Sequence, residues 1–231
     1  MAKLYLIPTV IEEGANDTIP QQVLSILPSI NIFLAENVRT ARRYLSSLKI
    51  YESIESLTIH VLDKDTIDVG PLMSELKNGQ NIGVISESGV PGVADPGALA
   101  VAYAHANNIQ VVPLVGPSSL LMALMASGLN GQQFVFHGYL PIDAKLAAEQ
   151  VKSMERESKK KLQTQMFIET PYRNNQVFEL MLKTLQKTTL LTVAIDITGK
   201  QESIRTHSVG QWQSLKTEWP KQPAVFLFLA T

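Results

Sequence analysis

Residues 81–97 read NIGVISESGVPGVADPG, an apolar run followed by a loop of glycine, proline and small polar residues. The run has the composition of a buried strand, and the alanine-rich stretch 96–108 after the loop is expected to form a helix. A second unit of this kind follows, because the β-branched run 109–115 leads into Gly-Pro-Ser-Ser at 116–119. Two buried strands that end in such loops are typical of the ligand-binding edge of a parallel α/β sheet.

The rest of the first half alternates strand-like and helix-like patterns. Strands are expected at 3–8, 31–35, 57–62, 81–86 and 109–115. Asn16, Asp17 and Thr18 can cap a first helix, whose core-facing stripe comprises Ile19, Val23, Ile26, Leu27 and Ile30. The order βαβαβαβαβ predicts a parallel sheet with crossover helices. We expect an N-terminal α/β domain over 1–115 and a C-terminal α/β domain over 116–231.

The second half is expected to form a mixed sheet. Its first helix, 117–127, is apolar on all sides, which predicts burial between the domains or in an interface between subunits. Strand-like runs follow at 134–140, 165–169, 190–197, 203–209 and 223–229, and Asp143 is placed to cap a charged helix.

Composition excludes several classes of function. The 231 residues contain no cysteine, so disulfides, thiolate catalysis and thiolate metal sites are excluded. No apolar run approaches the roughly 20 residues that span a bilayer, and the start lacks a signal-peptide pattern, so a cytoplasmic location without membrane contact is the expectation. A net charge of −1 means that a nucleic-acid substrate would need a local basic patch.

Several motifs match one family in order along the chain. SESGVPGVADPG at 86–97 resembles the S-D-A-G-T-P-x-x-x-D-P-G signature of the tetrapyrrole methylase family. VPLVGPSS at 112–119 and GYLP at 138–141 are similar to V-P-L-P-G-P-[SC]-A and G-F-L-P of its ribosomal RNA small-subunit cytidine 2′-O-methyltransferase branch. The resemblance covers nearly the whole chain. It implies two α/β domains with a cleft between them, a homodimer, and S-adenosylmethionine as cofactor.

The resemblance also implies which residues hold the cofactor. Main-chain groups of the loop after the signature strand, the helix start at 117–119 and an apolar edge of the second domain would bind it. Glu87 and Asp95 would offset the sulfonium charge or bind the amine and the ribose. The expected cofactor-binding residues are Pro8, Ser86, Glu87, Ser88, Gly89, Val90, Asp95, Pro117, Ser118, Ser119, Phe167, Pro223 and Ala224.

Three further matches concern the methyl acceptor. AENVR at 35–39 resembles the family's A-E-D-T-R, and FIETPYR at 167–173 resembles F-Y-E-S-x-H-R. The branch's R-E-L-T-K-x-x-E corresponds to IDITGKQE at 195–202, where glycine replaces the lysine. The expected catalytic residues are therefore Glu36, Arg39, Glu169 and Lys200. From the residues alone, a structural Glu36–Arg39 pair at i, i+3 is the favoured explanation. With the resemblance included, the structural and the functional explanations are equally good.

The resemblance thus implies an S-adenosylmethionine-dependent methyltransferase that acts on ribosomal RNA, with the RNA or the small ribosomal subunit as partner. Departures from the branch leave two alternatives open. Glu12 and Glu13 replace Gly-Asn, and Asn37, Ile168, Ile195 and Gly199 also differ from the branch. One alternative is a methyltransferase of a small molecule such as a tetrapyrrole. The other is a protein that binds the cofactor without catalysis.

Overall fold

The computed structural model describes residues 2–66 and 68–231. Contacts between residues divide the chain into two units, Met1–Ser118 and Ser119–Thr231. The boundary expected at Gly116 lies in the segment between the last strand of the first unit and the first helix of the second.

The N-terminal unit is built on a five-stranded parallel sheet. The strand order is β3-β2-β4-β1-β5. The strands are β1 (Lys3–Ile7), β2 (Ile32–Ala35), β3 (Thr58–Val61), β4 (Ile82–Ile85) and β5 (Gln110–Pro113). Every residue of β2 and β4 is buried, as expected for inner strands covered on both faces. Since all strands run the same way, their carboxyl ends meet at one edge.

The helices of this unit are α1 (Gln21–Ile26), α2 (Val38–Ser47), α3 (Ser74–Lys77) and α4 (Gly97–Ala106). Helix α2 begins after Asn37, whose side chain accepts hydrogen bonds from the Arg39 and Thr40 N–H groups at 2.9 and 3.3 Å. An N-terminal cap of this kind satisfies main-chain donors that have no partner within the helix.

The first helix is shorter than the sequence pattern predicts. Residues 16–18 form a separate 3-10 turn rather than a cap, and Pro20 precedes α1 without a side-chain cap. A second 3-10 turn, Leu27–Ser29, replaces the expected last turn, because Pro28 has no N–H to continue an α-helix. The apolar stripe is nevertheless buried, except that Ile26 is only partly so.

The C-terminal unit is built on a mixed five-stranded sheet of order β6-β7-β10-β8-β9. Its strands are β6 (Phe134–Tyr139), β7 (Thr164–Glu169), β8 (Leu190–Ile195), β9 (Ser203–Ser208) and β10 (Ala224–Leu229). Strands β6 and β7 are parallel and the other pairs are antiparallel. The predicted α/β class, with one parallel and one mixed sheet, is confirmed.

The helices of the C-terminal unit are α5 (Ser119–Ser127), α6 (Ala144–Lys161), α7 (Asn174–Thr184) and α8 (Val209–Ser214). Asp143 caps α6 as predicted, accepting from the N–H groups of Lys145 and Leu146, each at 2.9 Å. No helix within the described residues has the length and apolarity to cross a membrane.

Within the single chain α5 is not buried on all sides, and its burial in an interface between subunits stays a prediction. Ala123 and Leu124 are buried, on the side of α5 that meets β9 and β10, but Leu121 is 52% exposed and Met125 is 83% exposed. Only one side of the helix can rest on a sheet, so an all-apolar sequence does not by itself bury every side chain.

Candidate functional site

The loop after β4 is tied to the loop after β1. The Thr9 N–H donates to the Gly89 carbonyl at 2.8 Å. The Ser88 hydroxyl donates to the Ile11 carbonyl at 3.4 Å, and the buried Ser86 hydroxyl donates to the Ser88 carbonyl at 3.2 Å. Three of the expected cofactor residues therefore belong to one structured edge at the carboxyl ends of β1 and β4.

Two glycines allow three chain segments to approach each other at this edge. Gly89 has a φ of +72°, and a Cβ on it would lie 3.1 Å from the Pro117 carbonyl oxygen. A Cβ on Gly116 would overlap the ring of Pro8. Pro8, Gly89 and Pro117 are thus close neighbours, and glycine at 89 and 116 makes that approach possible. Val90, which follows Gly89, is partly buried.

Asp95 organises the loop in which it lies. Its Oδ1 accepts hydrogen bonds from the Gly92 N–H at 2.6 Å and the Gly97 N–H at 2.9 Å. Ala94 has a φ of +59°, which is uncommon for a residue other than glycine. Local backbone strain of this kind concentrates at functional sites. Asp95 is partly exposed, and within the described residues its Oδ2 accepts no hydrogen bond.

A pocket of about 180 Å³ lies beside this edge in the N-terminal unit. It is enclosed by the loop after β1, one face of α2 and the residues that follow β4. The Tyr44 hydroxyl donates to the Pro8 carbonyl at 2.8 Å, and burial raises the pKa of Tyr44, so this hydroxyl stays a donor. The lining also includes Thr9, Ile11, Glu13, Thr40, Arg43, Ser86 and Glu87.

The sequence analysis missed the contribution of α2 to this pocket. Thr40, Arg43, Tyr44 and Ser47 line it, and their spacing of three and four residues is a polar stripe on one helix face. That stripe was the available signal. Glu13 is one of the two acidic residues that replace Gly-Asn of the branch motif. Its Oε2 is 3.5 Å from Arg43 Nη1, and both side chains are exposed.

Carboxylates gather at the same sheet edge. Glu36 follows β2, and burial raises its pKa, with further increases from Asp95, Glu87 and Asp63 in that order. Within the described residues Glu36 forms no ion pair with Arg39, and the Arg39 side chain is exposed. The structural pair that the sequence allowed is therefore absent, and the cluster favours a cationic group.

A Glu36→Gln variant should be slightly more stable than the wild type at neutral pH. Because the folded-state pKa of Glu36 is raised above its ordinary 4.5, ionisation of this carboxyl opposes folding, and stability falls as pH rises through that range. We expect the free energy of unfolding, measured with urea at pH 7, to rise by about 0.5 kcal/mol, the size of a solvent-screened charge interaction.

The gain should vanish near pH 4, where wild-type Glu36 is largely protonated in the folded state. Glu52→Gln provides the control, since Glu52 is exposed and outside the cluster. Equal effects of the two substitutions at pH 7 would contradict the electrostatic account.

In the C-terminal unit, Glu169 is buried and held by its own loop. Its Oε1 accepts from the Thr170 N–H at 2.7 Å, and its Oε2 lies 3.2 Å from Arg173 Nη1. Arg173 Nη2 also donates to the Pro141 carbonyl at 2.9 Å. The side chain of Glu169 has no exposed surface, and that of Arg173 is 20% exposed.

The turn after β8 is strained and holds Lys200 at the surface. Asp196 and Thr198 have φ values of +54° and +66°. Asp196 Oδ2 accepts from the Gln201 N–H at 2.7 Å, whereas its buried Oδ1 and the buried Thr198 Oγ1 have no hydrogen-bond partner within the described chain. A Cβ on Gly199 would overlap the Asp196 carboxylate. Lys200 itself is exposed.

The remaining expected cofactor residues have different surroundings. Phe167 is fully buried, and its ring stacks on Phe226 with 5.3 Å between centroids, so it packs in the core rather than facing solvent. Pro223 is exposed and its carbonyl accepts from the Asp196 N–H at 3.1 Å. Ala224 pairs with Glu169 across β10 and β7. Ser118 precedes α5 and Ser119 is its first residue; both are partly exposed.

Each unit therefore brings some of the expected site residues together. The N-terminal unit gathers Pro8, Pro117 and the loop 86–95 near Glu36. The C-terminal unit gathers Glu169, Ala224 and Pro223 at one end of its sheet. Within the described residues no group of three or more metal-ligating side chains is assembled.

The chain is similar in sequence to proteins named ribosomal RNA small subunit methyltransferase I. It is 30% identical to the one from Buchnera aphidicola subsp. Acyrthosiphon pisum, over 95% of this chain and 73% of the relative. It is 30% identical to the one from Escherichia coli O157:H7, over 90% of this chain and 70% of the relative. It is 31% identical to the one from Synechocystis sp., over 87% of this chain and 69% of the relative. No protein-family model matches the chain.

Two solved structures share the fold over nearly the full length. The methyltransferase CobJ aligns with a TM-score of 0.63 at 16% identity, over 100% of this chain and 95% of that structure. Uroporphyrin-III-C-methyltransferase from Thermus thermophilus aligns with a TM-score of 0.58 at 16% identity, over 99% of this chain and 92% of that structure. The fold implied by the motifs is confirmed, and the sequence relatives show that this chain belongs to the ribosomal RNA small subunit methyltransferase I family.

Proposed function

We propose that this methyltransferase uses S-adenosylmethionine to methylate a ribose 2′-hydroxyl of small-subunit ribosomal RNA. The names of its sequence relatives support the RNA acceptor. The observation that carries the proposal is the close approach of the Pro8, Gly89 and Pro117 segments. Closely spaced loops at the carboxyl ends of parallel strands are where α/β folds bind small polar ligands.

The charges at this edge suit that cofactor. When bound, S-adenosylmethionine supplies an electrophilic methyl group on a positively charged sulfur. Glu87 is exposed, and within the part of the chain that the structure describes Asp95 uses only Oδ1 in hydrogen bonds, so both carboxylates can interact with cationic groups. Ser118 and Ser119, at the start of α5, are suited to the cofactor carboxylate, because helix N-termini bind anions.

The acceptor needs a group that takes its hydroxyl proton. Of the proposed catalytic residues, Glu36 suits this role best, since it is partly exposed, free of an ion pair among the described residues, and has a raised pKa. A raised pKa makes a carboxylate a stronger base. Arg39, one helical turn away on α2, is exposed and can contact a phosphate.

The pocket beside this edge offers polar groups to a nucleoside fragment. Its volume of about 180 Å³ is below the roughly 300–1,000 Å³ of pockets that enclose drug-sized ligands. Its lining combines hydroxyls, one arginine and the carboxylates of Glu13 and Glu87, groups that hydrogen-bond sugars and bases.

Titration calorimetry and labelled methyl transfer test the proposal. The wild type should bind S-adenosylmethionine and S-adenosylhomocysteine, and should transfer label to small ribosomal subunits that lack the modification. Glu36→Gln should keep cofactor binding but lose about 100-fold or more in transfer rate. Failure to bind either compound would overturn the cofactor. Binding with label transferred only to a tetrapyrrole would overturn the RNA acceptor, and binding without any transfer would favour a non-catalytic role.

A further inference from the structure

The segment that precedes β10 is fastened to the start of α7 by two consecutive asparagines. The Asn174 side-chain amide donates to the Pro220 carbonyl at 3.3 Å and to the Gln222 carbonyl at 2.7 Å. The Asn175 amide donates to the Trp219 carbonyl at 3.0 Å, and its side-chain oxygen accepts from the Trp219 N–H at 2.8 Å. Asn174 is only 1% exposed, so its hydrogen bonds to the segment before β10 are shielded from water.

The attachment places a lysine beside an exposed aromatic ring. Lys221 lies between the two carbonyls that Asn174 binds, and its Nζ is 5.8 Å from the ring centroid of Tyr172. Tyr172 is 84% exposed. Both residues lie at the end of the sheet where β7 finishes and β10 begins, the end that also carries Glu169 and Ala224.

The pairing of Lys221 with Tyr172 contributes little to the stability of the fold. An exposed cation beside an aromatic ring adds little to stability, and Lys221 has no carboxylate within ion-pair distance among the described residues. Because Tyr172 is 84% exposed with Lys221 beside it, most of the ring surface is accessible to a planar ligand. Its ammonium remains available to an anion.

We propose that Tyr172 and Lys221 form a contact site for single-stranded RNA. A nucleobase stacks on the exposed ring of Tyr172, and the neighbouring phosphate binds Lys221 Nζ. This inference rests on the proposed function, because it states how an RNA acceptor is held. Aromatic platforms beside basic groups are the general means by which proteins bind single strands.

Filter binding of an unmodified small-subunit ribosomal RNA transcript at several salt concentrations tests the site. Tyr172→Ala should weaken binding about tenfold, the effect of losing one stacked base, while Tyr172→Phe should bind as the wild type does. Lys221→Gln should weaken binding and reduce the salt slope by about 0.7, the value for one phosphate on a single strand.

Lys187→Gln is the matched control. Lys187 is also exposed, but it lies before β8, at the opposite end of the same sheet. It should leave affinity and salt slope unchanged. Calorimetry with S-adenosylmethionine should give the wild-type affinity for every variant.

The outcomes separate this inference from the proposed function. If the wild type binds no RNA, both fail together. If it binds but Tyr172→Ala binds equally well, only the contact site is overturned. It is also overturned if Lys187→Gln weakens binding as much as Lys221→Gln, which would indicate unspecific charge attraction, or if Tyr172→Ala loses cofactor affinity.

Discussion

A Gly89→Leu variant will bind S-adenosylmethionine at least a hundredfold more weakly than the wild type. Gly89 lies where the loop after β4 meets the segment before α5, and a Cβ there would be 3.1 Å from the Pro117 carbonyl oxygen. A larger side chain must push these segments apart. Because the proposed site uses main-chain groups of both, a displacement of about 1 Å suffices for a loss of this size.

The control for this experiment is Gly128→Leu. Gly128 follows α5 with a φ of +71°, close to the +72° of Gly89, but a Cβ on it would meet nothing within 4 Å. Both variants carry the strain of a left-handed residue, about 1–2 kcal/mol. Calorimetry should find that Gly128→Leu binds normally. Wild-type affinity in Gly89→Leu would show that the cofactor binds elsewhere.

An Arg173→Ala variant will lower the free energy of unfolding by about 3 kcal/mol. The Arg173 guanidinium is 3.2 Å from Glu169 Oε2, an oxygen that has no hydrogen bond within the described residues. The Glu169 side chain has no exposed surface. Removing the arginine leaves the buried Glu169 carboxylate without its ion-pair partner, which costs far more than the loss of an ordinary surface pair. Urea unfolding followed by circular dichroism measures the loss.

Helix α7 supplies a matched control. Lys183 Nζ lies 3.2 Å from Glu179 Oε2 with the same i, i+4 spacing, but these side chains are 76% and 67% exposed. Lys183→Ala should therefore cost less than about 0.5 kcal/mol. A double variant, Glu169→Gln with Arg173→Met, should regain much of the stability lost by Arg173→Ala. Equal losses from Arg173→Ala and Lys183→Ala would mean that Glu169 is solvated.

The sheets were predictable because their signals are local. The inner strands β2 and β4 are continuous apolar runs, and each is followed by the glycine, proline or capping residue that ends it. The extent of α1 was predicted wrongly because the apolar stripe was given more weight than Pro28, whose effect on the backbone is stronger. The homodimer and the placing of the domain boundary at Gly116 stay predictions.

The site was predictable only where a motif carries it. The motif identifies the loop 86–97. It does not reveal that Asp95 holds this loop together by accepting hydrogen bonds from the Gly92 and Gly97 N–H groups. Tyr44 is joined to Pro8, 36 positions away, and Asn174 to Gln222, 48 positions away. Contacts at that separation depend on tertiary packing, so neither periodicity nor propensity reveals them.

The turn after β8 constrains how this sequence can change over evolutionary time. With Asp196 in its present conformation, no side chain fits at Gly199, because its Cβ would occupy the space of the carboxylate. A side chain at position 199 therefore requires the Asp196 carboxylate to move away, which would break the hydrogen bond that it accepts from the Gln201 N–H. Because that hydrogen bond holds the turn, we expect residues 196 and 199 to covary across related sequences.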